Sequence, residues 1–240
     1  EKIRISGGGR CNFTNLNTSS ENFLSNNPSF CKSALKQYTC ENFIDMLKHY
    51  EINFHEKKLG QLFCDRSSQN IIDMLIAESK LANVKILTSV LIKSIKSGFN
   101  IFTNLGEFKC KSLVIATGGL SIPKIGATKF GYEIAKQFGL NVVETRPGLV
   151  PLTFTDNFLK YFNDLKGISI DALVFNNKNQ FSEGLLFTHR GLSGPSILQI
   201  SSYWREGEEI CINLASKYDV EKFLISEKYK KNKQDIKNIL

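Results

Sequence analysis

The chain has 240 residues, 42% of them hydrophobic and 22% charged, which is enough for one large domain or two smaller ones with a real core. No window approaches the roughly 18 uninterrupted apolar residues of a membrane span, and no basic-then-apolar leader opens the sequence, so a cytoplasmic protein without a membrane partner is expected. The net charge of +8 is spread over scattered lysines, and the densest group, Lys228 to Lys237, is interleaved with acids; this predicts a solvated face and no nucleic-acid partner.

The first informative stretch is Ser6-Gly7-Gly8-Gly9-Arg10-Cys11-Asn12, followed by Thr14-Asn15. Ile3 and Ile5 could form a strand ahead of it. Three successive glycines accept positive φ and let main-chain amides approach a polar ligand closely. Arg10 adds a fork of donors, and Asn12, Thr14 and Asn15 add short side chains that bond a ligand or pin the loop. An ordinary glycine turn is the alternative, and the flanking polar run argues against it. Gly7 and Gly9 could begin a G-x-G-x-x-G fingerprint, but position 12 is Asn, and no phosphate-loop pattern occurs elsewhere. The loop therefore predicts a ligand without identifying it.

Helices are predicted over Pro28 to Tyr38 and Glu41 to Tyr50, the second with an apolar face of Phe43, Met46 and Leu47. Ile52 to His55 and Gln61 to Cys64 read as a hairpin around Lys57-Lys58-Leu59-Gly60. Ser67 should cap a helix to Leu81 with Ile71, Ile72, Leu75 and Ile76 inward. Strands are expected at Val84 to Leu87, Leu91 to Ile95, Asn100 to Thr103 and Glu107 to Cys110. Ser112 to Gly119 reads as a buried parallel strand whose carboxyl end, Ala116-Thr117-Gly118-Gly119, meets a ligand. A helix over Gly131 to Phe138 should close at Gly139.

From Leu140 the texture turns to strands: Asn141 to Thr145, Leu149 to Phe154, Lys166 to Ile170, Ala172 to Asn176, Phe181 to Phe187 and Glu209 to Leu214. That pattern suits a β-barrel or sandwich. Ser193 or a neighbour should cap a helix reaching Tyr203, and its N-terminus beside His189 and Arg190 could take an anion or a carbonyl; a plain strand-to-helix connection is the alternative. Asp219 to Leu240 reads as one or two lysine-rich helices. The six cysteines have no C-x-x-C spacing and the three histidines are dispersed, so reduced thiols and no metal are expected. Cys11 alone raises a functional question, because glycine amides and Arg10 flank it; a small residue filling a tight loop is the plainer reading.

Three motifs in order, Ile5 to Asn15 (I-S-G-G-G-R-C-N-F-T-N), Leu113 to Ser121 (L-V-I-A-T-G-G-L-S) and Leu185 to Pro195 (L-L-F-T-H-R-G-L-S-G-P), resemble the BaiN-like family of bacterial NAD(P)/FAD-dependent oxidoreductases. His55 to Cys64 and Gly148 to Phe154 are also similar to that family, so the resemblance covers almost the whole chain. It implies an α/β fold: an incomplete FAD-binding Rossmann-like domain of the two-dinucleotide-binding type, with a β-barrel plus small helical insert. Residues 1–145 would be the partial FAD-binding domain, lacking its N-terminal βαβ unit, and residues 146–240 the insert.

On that resemblance, Ser6, Gly7, Gly8, Gly9, Arg10, Cys11, Asn12 and Asn15 would lie against the flavin, and Thr117, Gly118 and Gly119 beside the nucleotide half. Leu91 would present its backbone to adenine, and His189 is the first candidate for proton delivery. The implied activity passes reducing equivalents from NAD(P)H through FAD to a small organic acceptor. The family's pyrophosphate turn and the return from the insert are missing from the sequence, so a stretch that binds FAD weakly, or a truncated or degenerate flavoprotein acting as a binding module, is the competing expectation.

Overall fold

The computed structural model describes residues 1–230 and 235. It divides into two units, Glu1–Val143 and Glu144–Leu240.

The first unit opens with a one-turn helix, α1 (Lys2–Ile5), and not with the strand that Ile3 and Ile5 could have formed. Among the described residues no strand pairs with this segment; it packs on α4 (Ser68–Leu81) instead, and the Ser68 hydroxyl donates to the Arg4 carbonyl at 2.9 Å. The glycine turn Ser6–Gly9 follows, then β1 (Asn12–Asn15), a short 3-10 turn at Ser20–Asn22 and α2 (Lys32–Gln37). Helix α3 (Cys40–His49) starts in a capping box, with Asn42 N–H donating to Thr39 Oγ1 (3.3 Å) and Thr39 N–H to Asn42 Oδ1 (2.8 Å). Next come β2 (Phe54–Glu56) and β3 (Gln61–Cys64), the expected hairpin.

Ser67 caps α4 as expected, its hydroxyl accepting from Gln69 N–H at 3.1 Å. The helix turns Ile71 and Met74 inward, while Ile76 stays 39% exposed. At about 100° per residue, Ile76 lies about 140° round the helix from Ile71, whereas Met74 lies only about 60° from it. The antiparallel sheet β1-β3-β2 carries Cys11, Leu47, Cys64, Ile71 and Met74 as its core, with Phe13, Phe43, Met46 and Phe54 packed around them. Each large side chain so buried contributes about 1.5–3 kcal/mol.

A meander follows: β4 (Ile92–Lys96), β5 (Asn100–Thr103) and β6 (Gly106–Lys109), then a 3-10 turn at Pro123–Ile125 and α5 (Phe130–Gln137), ended by left-handed Gly139. The expected strands at 84–87, 112–119 and 141–145 do not form. Val114 is 84% exposed and Val84 55%. A fully apolar run becomes a buried strand only when strands flank it, and among the described residues none pairs with these three.

The second unit contains β7 (Leu152–Thr153), α6 (Asp156–Leu159), a 3-10 turn at Asn163–Leu165, β8 (Ser169–Phe175), β9 (Gln180–Thr188), β10 (Gly191–Ser193), α7 (Pro195–Ser201), β11 (Cys211–Asn213) and α8 (Val220–Tyr229). Its strands form one antiparallel sheet ordered β11-β8-β9-β10-β7. The ladder is open among the described residues, because the end strands β7 and β11 are short and do not pair with each other. In place of barrel closure, α7 covers the sheet, and Ile197 and Ile200 pack on Ala172, Val174, Leu185, Phe187 and Leu192. The expected strands around 166–170 and 172–176 are one continuous β8. The helix expected from Asp219 is α8, with Asp219 accepting from Lys222 N–H at 3.0 Å; the expectation for 231–234 and 236–240 lies outside the described residues.

Candidate functional site

The glycine turn is left-handed throughout: φ is +57° at Gly7, +66° at Gly8 and +85° at Gly9, and Cys11 follows at +53°. The turn closes on itself through Cys11 N–H to the Ser6 carbonyl (3.0 Å), while the Ser6 hydroxyl donates back to Ile3 (2.9 Å). The glycines differ in surroundings. A Cβ on Gly7 would sit 2.7 Å from the Phe63 ring and 2.8 Å from the Asn12 nitrogen, whereas one on Gly8 or Gly9 would meet nothing within 4 Å. Gly7 is therefore fixed by packing and φ together, and Gly8 and Gly9 by φ alone, with clear space beside their main chain.

Arg10 is tied by its backbone, its carbonyl accepting from Cys64 N–H at 2.9 Å. Its guanidinium is exposed, and among the described residues no group pairs with it. Cys11 is 5% exposed and packs beside fully buried Cys64 in the core. That environment makes Cys11 a core residue and pushes the Cys64 thiol up to about 11, first by burial, then by Cys11 and Asp65. Asn12, oriented with Nδ2 toward the two carbonyls, donates to Thr14 (3.2 Å) and Leu62 (3.1 Å). Asn15 pins the hairpin turn, donating to the Leu59 carbonyl (3.0 Å) and accepting from Asn17 N–H (2.7 Å). The side-chain amides of both asparagines are thus committed to the loop itself.

The sheet β1-β3-β2 positions the rest. Leu62 and Cys64 face the core, so Phe63 turns to the other face, opposite Asn12 on one neighbour and His55 on the other. On that face His55 stacks on Phe63 (6.3 Å between centroids, 19° between planes), Lys57 Nζ lies 5.4 Å from the Phe63 centroid, and His55 Nδ1 meets Asp65 Oδ1 at 2.7 Å. The Phe63 ring in turn abuts Gly7. A carboxylate-held imidazole, an aromatic ring and the open glycine turn are contiguous on one surface. The histidine was legible in the sequence, since it opens the run His55 to Cys64.

The other expected residues are placed as follows. Lys2 Nζ donates to Ser121 Oγ at 2.8 Å, which brings the helix leading into the glycine turn next to the segment after Gly119. Gly118 is left-handed (φ +79°) with open space beside it, and a Cβ on Gly119 would meet Tyr132 Oη at 2.9 Å. Leu91 lies just ahead of β4, and both its main-chain groups are engaged by Asn104: its amide donates to Oδ1 (2.7 Å) and its carbonyl accepts from the Asn104 amide (3.1 Å). That clamp fixes the Leu91 main chain against the β5–β6 turn.

His189 belongs to the second unit, exposed with Arg190 at the tip of the β9–β10 hairpin. At the α7 N-terminus the packing is that of the strand-to-helix connection. Ser196 is fully buried and donates to the Gly184 carbonyl (3.1 Å), and a Cβ on Gly194 would lie 2.5 Å from that same oxygen. The end of the helix is packed onto β9.

Residues 1–197 match the family described as "HI0933-like protein Rossmann domain". The chain belongs to this family. It is 49% identical over 243 residues to the protein of Escherichia coli K12 named ribosomal RNA dihydrouridine synthase, covering all of this chain and 61% of that one. A Haemophilus influenzae protein of the same name is 44% identical over 250 residues, again with 100% and 61% covered. The 3-dehydro-bile acid delta(4,6)-reductase of Clostridium scindens is 26% identical over 217 residues, 86% of this chain and 52% of that protein. The chain thus spans about three fifths of the length of the first two relatives. The relatives are oxidoreductase-type enzymes by name, and a mixed α/β chain of a Rossmann-domain family agrees with that class. Among the described residues no cluster of three or more His, Cys, Asp or Glu side chains could hold a metal, and no helix is long and apolar enough to cross a membrane.

Proposed function

We propose that the protein is an FAD-dependent reductase that takes electrons from NAD(P)H and reduces a carbon–carbon double bond of uridine in ribosomal RNA. The observation that carries this reading is the glycine turn: three successive left-handed glycines, open space beside Gly8 and Gly9, and an exposed arginine, Arg10, next in the chain. These residues fit a planar, polar, anionic cofactor, since main-chain donors and an arginine fork can approach it without a side chain intervening. When bound, the flavin supplies hydride transfer, a chemistry that no side chain can perform. This chain's part is to hold the cofactor at the turn, present a substrate to it and keep water out.

The substrate class is supported by what the relatives' names have in common. Dihydrouridine is uridine with two hydrogens added across one double bond, and a delta(4,6)-reductase also removes unsaturation from a ring. In both, the double bond is conjugated to a carbonyl. A ribosomal RNA substrate departs from the small acceptor that the family resemblance implied and from the absence of a nucleic-acid partner that the charge distribution suggested. The narrower BaiN-like affiliation, the roles of the residues from Ser6 to Asn15, of Thr117 to Gly119 and of Leu91, the barrel-type insert and a cytoplasmic location belong to the same proposal.

The test uses the full-length protein with FAD, NADPH or NADH, and deproteinised ribosomal RNA. A gain of two mass units on one uridine, dependent on flavin and nicotinamide, is expected on nucleoside mass spectrometry. A protein that binds no flavin and leaves every uridine unchanged would refute the reading.

A further inference from the structure

We infer that His55, anchored by Asp65 and stacked on the ring that buttresses the glycine turn, donates the proton that completes reduction of the substrate double bond; this rests on the function proposed above. Reduction of a double bond conjugated to a carbonyl needs two different deliveries. The hydride, with its electron pair, goes to the carbon remote from the carbonyl and comes from reduced flavin, which is recharged by reduced nicotinamide. A proton must then reach the carbon next to the carbonyl. In uracil those are ring carbons 6 and 5. The double bond is lost, two C–H bonds form, the flavin is oxidised, and the imidazolium that gave up its Nε2 proton takes another from water.

Three observations select His55. First, Nδ1 is engaged with Asp65 at 2.7 Å, which fixes the ring and leaves Nε2, the proton-donating atom, as the end without a partner among the described residues; the side chain is 44% exposed and so within reach of a substrate. Second, the ring is coupled to the turn by direct packing, His55 on Phe63 and Phe63 against Gly7. Third, the thiols near the turn are unsuitable. Cys11 and Cys64 lie on the core side of the sheet, and Cys64 is fully buried. His49 packs edge-on against Tyr50 at the end of α3. Asp65 is a positioning residue, because it acts through the imidazole.

The experiment compares the full-length protein with His55→Gln, His55→Ala, Asp65→Asn and Asp65→Glu. His55→Gln should bind FAD with a dissociation constant within about twofold of the parent and should let NAD(P)H bleach the flavin at the parental rate. Its single-turnover uridine reduction should fall about 100-fold or more, the range of a lost acid catalyst. Added imidazole should restore part of that rate in His55→Ala. Asp65→Asn should lower kcat with little change in KM, and Asp65→Glu should recover much of it. Without any cofactor, uridine monophosphate should shift the NMR ring signals of His55 and leave those of His49 unmoved.

Uridine reduction by His55→Gln within threefold of the parent would overturn the inference, as would loss of flavin binding in that variant or unmoved His55 signals. Failure of the parent itself to bind flavin or reduce uridine would strike the underlying function and take this inference with it. The first three outcomes, by contrast, leave that function standing.

Discussion

Adding a methyl group to the glycine turn separates two roles that the sequence presents as one. Gly8→Ala asks an L residue to hold φ +66° in open space, so its cost is the left-handed backbone alone, about 1–2 kcal/mol. Gly7→Ala carries the same penalty at φ +57° and also drives a Cβ to 2.7 Å from the Phe63 ring and 2.8 Å from the Asn12 nitrogen. The ring can swing, but only by leaving His55 and Lys57; the Asn12 main chain is held in β1. Overpacking of this kind adds about 1–3 kcal/mol, so Gly7→Ala should cost about twice as much as Gly8→Ala or more.

Urea unfolding followed by far-ultraviolet circular dichroism is the suitable assay. The single tryptophan, Trp204, lies in the second unit, so its fluorescence would report on the wrong half of the chain. The order should reverse for ligand binding. Gly8→Ala places its methyl in the cleared space and should weaken FAD binding even where the fold survives. Equal destabilisation by the two substitutions, or unchanged FAD affinity in Gly8→Ala, would refute this account of the turn.

Two other outcomes follow from the packing. The Cys64 thiol, raised to about 11 by burial, should be alkylated far more slowly than exposed Cys211 at pH 8, with the rate climbing only as pH approaches that value; mass spectrometry of iodoacetamide-treated protein checks this. Gly194→Ala combines φ +93° with a Cβ 2.5 Å from the Gly184 carbonyl and 2.9 Å from the Leu186 nitrogen, so it should destabilise the second unit by about 3 kcal/mol or more, read from Trp204 fluorescence in urea.

Local chemistry was readable wherever it decided the outcome. Gln61 to Cys64 is a strand with the residues its alternation names, Ser67 caps α4, and the glycine run takes the positive φ its composition permits. What failed was pairing. Leu113 to Thr117 and Val84 to Leu87 carry strand-like residues, yet a strand exists only with a hydrogen-bonded neighbour, and none among the described residues supplies one. The reverse case is β10: no strand is expected at Gly191 to Ser193, but Gly191 leaves no room for a Cβ beside the Leu152 carbonyl, and that close approach accompanies the ladder to β7. In the candidate site, the turn was visible as a motif, but the internal duties of Asn12 and Asn15 were not, because they depend on where the Leu59–Gly60 turn and β3 arrive. The His55–Asp65 pair spans ten residues across a hairpin and becomes apparent only from its register.

The run after β6 rests Ile115 and Thr117 beside Gly131 of α5 but is unpaired along its edges among the described residues, and that has a consequence for how this chain behaves in company. Residues 113–119 make no main-chain hydrogen bonds among the described residues, and Val114 is almost fully exposed, so any extended peptide laid alongside would gain both a ladder and a dry contact. Lys109 and Lys111 precede the run in sequence and Lys124 follows it, and repulsion between these charges would oppose the pairing of two copies. Concentrated salt screens that repulsion and strengthens apolar association at the same time, so it withdraws the guard and sharpens the appetite together.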